Sequence, residues 1–196
     1  MKPNVPEHMP AQQKGYTIVE LSIALVIIAI LIVTGLSGVN SVLLSGKANQ
    51  QIEDTSRGIA KLQSFVTTGT SAIAITTDAA KGMGIFPANR LTSTGVSNVF
   101  GGSEFVVGNS ADINGVLPNY GAMYTLTGIP KQVCTDIAST LAGLSFSAWV
   151  SNTITKEQVT APAGQVKQAN GNLNIVAVGT NCNSADSVGM TFLLKP

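Results

Sequence analysis

The stretch KGYTIVELSIALVIIAILIVTG, residues 14–35, decides the fold of this chain. Between Tyr16 and Gly46 the only acidic or basic side chain is that of Glu20. Inserting a carboxylate into hydrocarbon costs a few kcal/mol on insertion scales. A plain membrane anchor has no use for such a group, so we expect Glu20 to have a function of its own.

The apolar run is long enough to cross a membrane if it is helical. Residues 21–46 carry no charge over 26 positions, which corresponds to about 39 Å at about 1.5 Å per residue. A bilayer core is about 30 Å thick. Residues 18–36 include thirteen Ile, Leu and Val, and burying each stabilises by about 1.5–3 kcal/mol. The segment must therefore be buried in lipid or against other protein.

A second, amphipathic helical pattern follows without an obvious stop. Apolar residues recur at helical spacing among charged ones, at Ile52, Ile59, Leu62 and Val66. We therefore predict one helix from residue 16 to residue 66, with two separate helices as the alternative. Gly35 and Gly38 weaken its middle, and we expect flexibility or a local bend there.

Composition and motifs exclude several classes of function. Charged residues make up 11% of the chain, against roughly 25% in typical domains, and without a basic cluster we predict no nucleic-acid binding. The only histidine is His8, so residues beyond the first fifteen contain neither a His-dependent triad nor a His metal site. Phosphate-loop, zinc-protease and nucleophile-elbow motifs are absent from the sequence. We predict no enzyme activity, no metal site and no cofactor.

The chain has two cysteines, Cys134 and Cys182, 48 positions apart. Two cysteines in a chain with an export-like N-terminus indicate one disulfide. Two buried free thiols are the alternative. A disulfide closing a loop of this length would contribute about 4 kcal/mol to stability.

The remainder of the chain has the patterns of an α+β head. Residues 129–143 predict a helix with Pro130 in its first turn and Gly143 beyond its end. Alternating or continuously apolar runs predict strands at residues 105–107, 122–128, 144–150, 172–179 and 188–195. We expect these strands to form an antiparallel sheet packed against residues 52–66 of the long helix.

The N-terminal stretch resembles the processing site and stem of type IV pilins and the related pseudopilins. In that family a prepilin peptidase cleaves after a glycine, here Gly15, and N-methylates the new first residue, here Tyr16. The family's glutamate, which serves in assembly, is the fifth residue of the mature chain, the position of Glu20. The resemblance implies three segments, a cleaved leader at 1–15, an apolar transmembrane and filament-core stem at 16–45, and a globular head at 46–196 that begins with the amphipathic half-helix 46–66.

The long leader and the C-terminal half resemble the type IVb class in particular. Residues 124–143 resemble its strand and the helix that carries its first cysteine, and Cys182 resembles the partner in its C-terminal disulfide loop. The resemblance implies a major pilin that leaves the bacterial inner membrane to polymerise into an extracellular pilus, for adhesion, aggregation or conjugative contact. The implied partners are copies of itself, prepilin peptidase, the inner membrane and the pilus assembly machinery.

Three other interpretations stay open. A minor pilin or a secretion-system pseudopilin has the same stem, although many pseudopilins hold calcium where pilins have the disulfide, and Asp112 and Asp186 are isolated for a calcium site. A secreted protein with a signal peptide cleaved near Gly35 leaves Glu20 unexplained. A membrane-anchored enzyme or binding module would need a catalytic constellation that the sequence does not contain.

Overall fold

The computed structural model describes residues 15–68, 75–169 and 171–195, without the side chains of residues 36, 37 and 66–68. The chain divides into two compact units, the first ending at Val42 and the second running Leu43–Pro196. The first long element is one uninterrupted helix, α1 (Ile18–Thr68), so the prediction of a continuous helix is confirmed. The predicted leader lies outside the described residues except for Gly15.

In the first unit, α1 has an apolar and exposed surface. Every described side chain from residue 18 to residue 42 is exposed. The hydroxyl groups bond to the helix's own backbone: Ser22 Oγ donates to the Val19 carbonyl at 2.7 Å, and Thr34 Oγ1 to the Ile30 carbonyl at 3.1 Å. The aliphatic side chains therefore dominate what the helix presents. Among the described residues, one helix, α1, is long and apolar enough by length and composition to cross a membrane.

The second unit contains an antiparallel sheet, which confirms the predicted fold class. Its strands in the described residues are β1 (Glu104–Gly108), β2 (Ala122–Pro130), β3 (Ser147–Ser151), β4 (Gln165–Lys167) and β5 (Ser187–Leu194). Their spatial order is β1-β2-β5-β3-β4. The central pair, β2 and β5, aligns Ala122 with Leu194 and is interrupted by a bulge between Leu126 and Ile129.

Four of the five predicted strands are present, and one prediction is wrong. The runs at residues 105–107, 122–128, 144–150 and 188–195 correspond to β1, β2, β3 and β5. The predicted strand at residues 172–179 instead contributes to a helix, α4 (Ile175–Cys182). The physical reason is a helix cap, because Asn174 Oδ1 accepts a hydrogen bond from the Ala177 amide at 3.1 Å. The edge position next to β3 is occupied by β4, which the sequence analysis did not predict.

The predicted helix at residues 129–143 is α3 (Lys131–Leu144), with its ends shifted. Pro130 lies just before the helix, and Gly143 lies inside its last turn. The last turn of α3 has no basic residue of its own. Lys167 on β4 supplies the positive charge, because its Nζ donates to the carbonyls of Ala142 at 2.7 Å and Ser145 at 2.6 Å. A cation at a helix C-terminus satisfies unpaired carbonyls and the helix dipole.

The main core of the second unit lies between one face of the sheet and the helices α1, α3 and α4. On α1, Ile59 and Leu62 are buried and Ile52 is half-buried, so the predicted apolar stripe does face the sheet. The fourth predicted member, Val66, lies outside the described side chains. Two short helices, α2 (Thr77–Gly82) and a 3-10 turn (Ala88–Arg90), precede β1.

A second, smaller core covers the opposite face of the sheet. Its buried side chains are Val107, Ile113, Val116, Met123, Trp149, Ile154 and Leu193. The loop that carries part of it is held by the buried Asn109, whose Nδ2 donates to the carbonyls of Ala111 and Leu117 at 3.0 Å each. Between residues 70 and 120, sequence patterns predicted only the run at residues 105–107. Because each face has its own core, the sheet is buried on both faces.

Both outer strands of the sheet make hydrogen bonds at their free edges, β4 at one position and β1 at three. On β4, the Asn174 amide donates to the Val166 carbonyl at 2.9 Å. On β1, three alternate amides donate away from β2: Glu104 N to Val96 O at 2.9 Å, Val106 N to Thr77 Oγ1 at 3.2 Å, and Gly108 N to Ile75 O at 2.8 Å. These amides are therefore not available to an added strand.

Candidate functional site

The predicted cleavage point lies immediately before α1. Residues 15–17 have no regular secondary structure and are exposed, and Tyr16 is 82% exposed. A Cβ built on Gly15 meets no atom within 4 Å. Exposed, irregular backbone is what a peptidase can bind, so the geometry is compatible with cleavage after Gly15.

Glu20 lies in the first turn of α1, and its side chain is exposed. Its amide donates to Thr17 Oγ1 at 3.3 Å, and the Leu21 amide donates to the Thr17 carbonyl at 3.1 Å. Thr17 therefore caps the helix, and the spacing from Thr17 to Glu20 is that of a capping box. A carboxylate at this end is also favoured by the helix dipole. The carboxylate of Glu20 thus stabilises the N-terminal turn of α1, and it lies four positions after Tyr16 in the sequence.

Gly35 and Gly38 lie within the regular part of α1. A Cβ built at either position meets no atom within 4 Å. Close packing inside this chain therefore does not account for these glycines. Flexibility of the helix at Gly35 and Gly38 stays a prediction.

The disulfide prediction is confirmed. Cys134 in α3 and Cys182 at the end of α4 are bonded, with a Cα–Cα distance of 5.7 Å, and both are buried. A salt bridge joins the start of α3 to the residue before β5, where Lys131 Nζ donates to Asp186 Oδ1 at 2.8 Å. This hydrogen bond, together with the lysine's charge, lowers the pKa of Asp186. Within the described ranges, no group of three or more His, Cys, Asp or Glu side chains is placed to hold a metal ion.

A ring of buried polar side chains joins α1 to the sheet, and we call it the Glu104 ring. Its members are Gln51, Thr55, Glu104 and Tyr124. Gln51 Nε2 donates to Glu104 Oε1 at 2.7 Å and to Thr55 Oγ1 at 2.9 Å. Tyr124 Oη donates to Glu104 Oε2 at 2.5 Å. Thr55 also lies close enough to Tyr124 to lower the pKa of its phenol, and it is the fourth member of the ring.

Burial dominates the electrostatics of the Glu104 ring. Desolvation raises the pKa of Glu104, against the opposing effects of its hydrogen bonds from Tyr124 and Gln51 and of the charge of Arg90. Desolvation and the neighbouring Glu104 charge also raise the pKa of Tyr124 well above its ordinary value. Arg90 itself pairs with Asp54 at 3.5 Å. The carboxyl group is therefore buried among polar groups, without a direct cationic partner within the described part of the chain.

Comparison with known proteins identifies the N-terminal pattern and the fold. Residues 10–36 match the family model described as the prokaryotic N-terminal methylation motif. The chain is similar in structure to a type IV b pilin from Salmonella typhi, at 16% identity and a TM-score of 0.53, over 76% of this chain and 99% of that one. Motif and fold together support a type IV pilin family. It is also similar to TcpA, a type IV pilin from Vibrio cholerae El Tor biotype, at 16% identity and a TM-score of 0.45, over 74% and 98% of the two chains. No curated protein matches the sequence.

The pilin motif includes the predicted residues Gly15, Tyr16 and Glu20, which the structure places together at the start of α1. The Glu104 ring lies outside the motif, and the sequence analysis missed it. A signal was present, because Gln51 and Thr55 continue the stripe of buried residues on α1 at helical spacing. Two polar residues in phase with an apolar stripe indicate a buried polar contact, since unpaired polar groups are costly inside a core.

Proposed function

We propose that this chain is the major structural subunit of a type IVb-like pilus and acts by polymerisation. The observation that carries the proposal is the exposed apolar surface of α1 in the first unit, most of which lies within the methylation motif. Such a surface is stable only in lipid or against other apolar helices. An inner-membrane precursor that is later extracted into a bundle of identical stems satisfies both requirements in turn.

The proposed role of Glu20 is to pair with a charge that processing creates. Cleavage after Gly15 gives Tyr16 a positive α-amino group, which must enter the apolar centre of the filament with its stem. An unpaired ammonium or carboxylate in that setting is severely penalised. Pairing the amino group of one subunit with Glu20 of a neighbour neutralises both and fixes the axial offset between copies, because the attraction is strong only at close approach.

The motif implies processing by prepilin peptidase and assembly by pilus machinery, and the pilin fold suggests a structural protein without catalytic function. The proposed location is the bacterial inner membrane for the precursor and the extracellular filament for the assembled subunit. The filament would serve cell contact, in adhesion, aggregation or conjugation.

Mass spectrometry of the N-terminus from cells tests the proposal. We expect a mature chain that begins with N-methylated Tyr16 and is found in sheared filaments. Gly15→Val should leave the leader attached and remove the filaments. The control is Gly46→Ala, which should leave processing normal. Gly46 lies in a regular helix, and the added Cβ would meet no atom within 4 Å. A chain that begins after Gly35 would instead indicate an ordinary signal peptide and overturn the proposal.

A further inference from the structure

The Glu104 ring can be complete in either charge state of its carboxyl group. In the ionised state, Gln51 and Tyr124 both donate to Glu104. In the protonated state, the Glu104 hydroxyl can donate to Tyr124 Oη, and Tyr124 can then donate to Thr55, since hydroxyl groups rotate to suit their partners. The ionised state alone carries the cost of burying a charge, and the hydrogen bonds from Tyr124 and Gln51 offset part of that cost.

The groups that face Glu104 do not offset the full cost of burying its negative charge. Glu104 is 2% exposed. From α1 it is approached by the negative charge of Asp54, from the 3-10 turn by the positive charge of Arg90, and from β2 by the phenol of Tyr124. Arg90 and Asp54 pair with each other at 3.5 Å, so the effect of Arg90 on Glu104 is partly cancelled. Ionising Glu104 therefore favours any local opening that lets water reach it.

The ring also holds the backbone segment that leads into β1. Gln51 Oε1 accepts a hydrogen bond from the Val99 amide at 3.1 Å. The turn at residues 98–102 is held by Asn98, whose Oδ1 accepts hydrogen bonds from the amides of Phe100 and Gly102 at 2.9 Å each. Gln51 therefore links the carboxyl group of Glu104 to the backbone of the preceding residues, and loss of its bond to Glu104 would loosen residues 97–104.

We propose that Glu104 is a proton-controlled latch between residues 97–104 and α1, firm when its carboxyl group is protonated and loosened when it ionises. The direction follows from burial. A carboxyl group whose pKa is raised in the folded state binds its proton more tightly when folded. Its stabilising contribution is fully present below the unfolded pKa of about 4.3 and is lost as pH rises through the raised folded value. The latch is independent of whether the chain forms a pilus.

Hydrogen exchange of the full chain in detergent micelles, followed by mass spectrometry between about pH 4 and about pH 9, tests the latch. After correction for the intrinsic exchange rate, opening of residues 97–104 should increase with pH. The increase should be about tenfold for each unit by which the pKa is raised. Peptides from α3, for which no hydrogen bond to the ring is found among the described residues, report global opening and should show a much smaller change.

Two variants separate the latch from a general effect of pH. Glu104→Gln keeps the size and polarity of the side chain and should make opening of residues 97–104 independent of pH, while Glu157→Gln, at an exposed carboxylate, should leave the pH dependence unchanged. Tyr124→Phe removes a hydrogen bond that lowers the pKa of Glu104, so it should enlarge the increase in opening with pH. If Glu104→Gln does not fold, Tyr124→Phe alone decides. A pH dependence that is unchanged in every variant that folds, or one that is equal in α3, would overturn the proposal.

Discussion

The stem and the head of this chain treat polar and apolar groups in opposite ways. Over residues 18–42 of the stem, the described aliphatic side chains are exposed, and the hydroxyls of Ser22 and Thr34 donate to the helix backbone. In the head, the sheet is buried on both faces, and polar side chains such as Glu104 and Asn109 are buried with partners. The difference teaches that the head can be stable as a monomer, whereas the stem requires lipid or other copies. Assembly should therefore depend on the stem and stability on the head.

Removing the stem is the strongest way to test this difference. A fragment of residues 46–196 should be soluble and folded, with its disulfide formed, and should make no filaments. It lacks the thirteen large aliphatic side chains whose burial, at about 1.5–3 kcal/mol each, drives the stems together. Circular dichroism, sedimentation and electron microscopy measure folding and polymerisation beside the full chain. Stable fibres of the fragment would show that the head contains the assembly surface.

Changing the stem's one carboxylate should have the next largest effect. Glu20→Gln should leave leader removal intact and lower the number of filaments by at least about tenfold, because an unpaired buried ammonium costs about 3–5 kcal/mol. Glu20→Asp should do partial damage, since its carboxylate is displaced by one methylene. Electron microscopy and an immunoblot for processed subunit measure both steps.

The matched control for Glu20 is Glu53→Gln, which removes an exposed carboxylate from the same helix beyond the stem. This variant should assemble normally. Normal filament numbers with Gln at position 20 would mean that assembly does not require the carboxylate.

Breaking the disulfide should weaken the head and leave the stem unaffected. We expect the double change of Cys134 and Cys182 to Ser to lower the free energy of unfolding by about 2–5 kcal/mol and to reduce filament yield without abolishing membrane insertion. Denaturation of the head fragment measures the first effect, with Ser139→Ala on the same helix as the control. Alkylation of both native cysteines without reduction would contradict the structure.

The smallest expected effect is at the C-terminal end of α3. Lys167→Met keeps the length of the side chain but removes two hydrogen bonds to carbonyls, so the free energy of unfolding should fall by about 1–3 kcal/mol. Lys156→Met, at an exposed lysine, should change it by less than about 0.5 kcal/mol. Equal effects of the two changes would mean that Lys167 contributes only its general surface charge.

Sequence patterns predicted the elements whose stability is local or strongly periodic. The long helix, β2, β5 and the disulfide were found because length, alternation and cysteine count suffice for them. The prediction failed at residues 172–179, where a single Asn174 cap changes an apolar run from strand to helix. It also failed for the second core, since Ile113 and Val116 come from a loop whose place on the sheet is set by Asn109 rather than by any period.

The candidate site also has a part that the sequence predicted and a part that it did not. Gly15, Tyr16 and Glu20 are close in sequence, so their arrangement at the start of a helix could be predicted. The Glu104 ring joins Gln51 to Glu104 across 53 positions, and only the tertiary fold brings them together. Lys167 at the end of α3 is a third example, because the helix terminus is satisfied from a different element.

The covered edges of the sheet have a consequence for how copies behave when crowded. In the proposed pilus, the subunits would meet at high local concentration, first in one membrane and then in one filament, and open strands recruit one another into irreversible cross-β aggregates under that condition. With the amides of β1 already bonded to Val96, Thr77 and Ile75, a neighbouring head finds no template at that edge. Contact between heads at this edge is then left to side-chain surfaces, so crowding of the subunits should not extend the sheet of one head into the next.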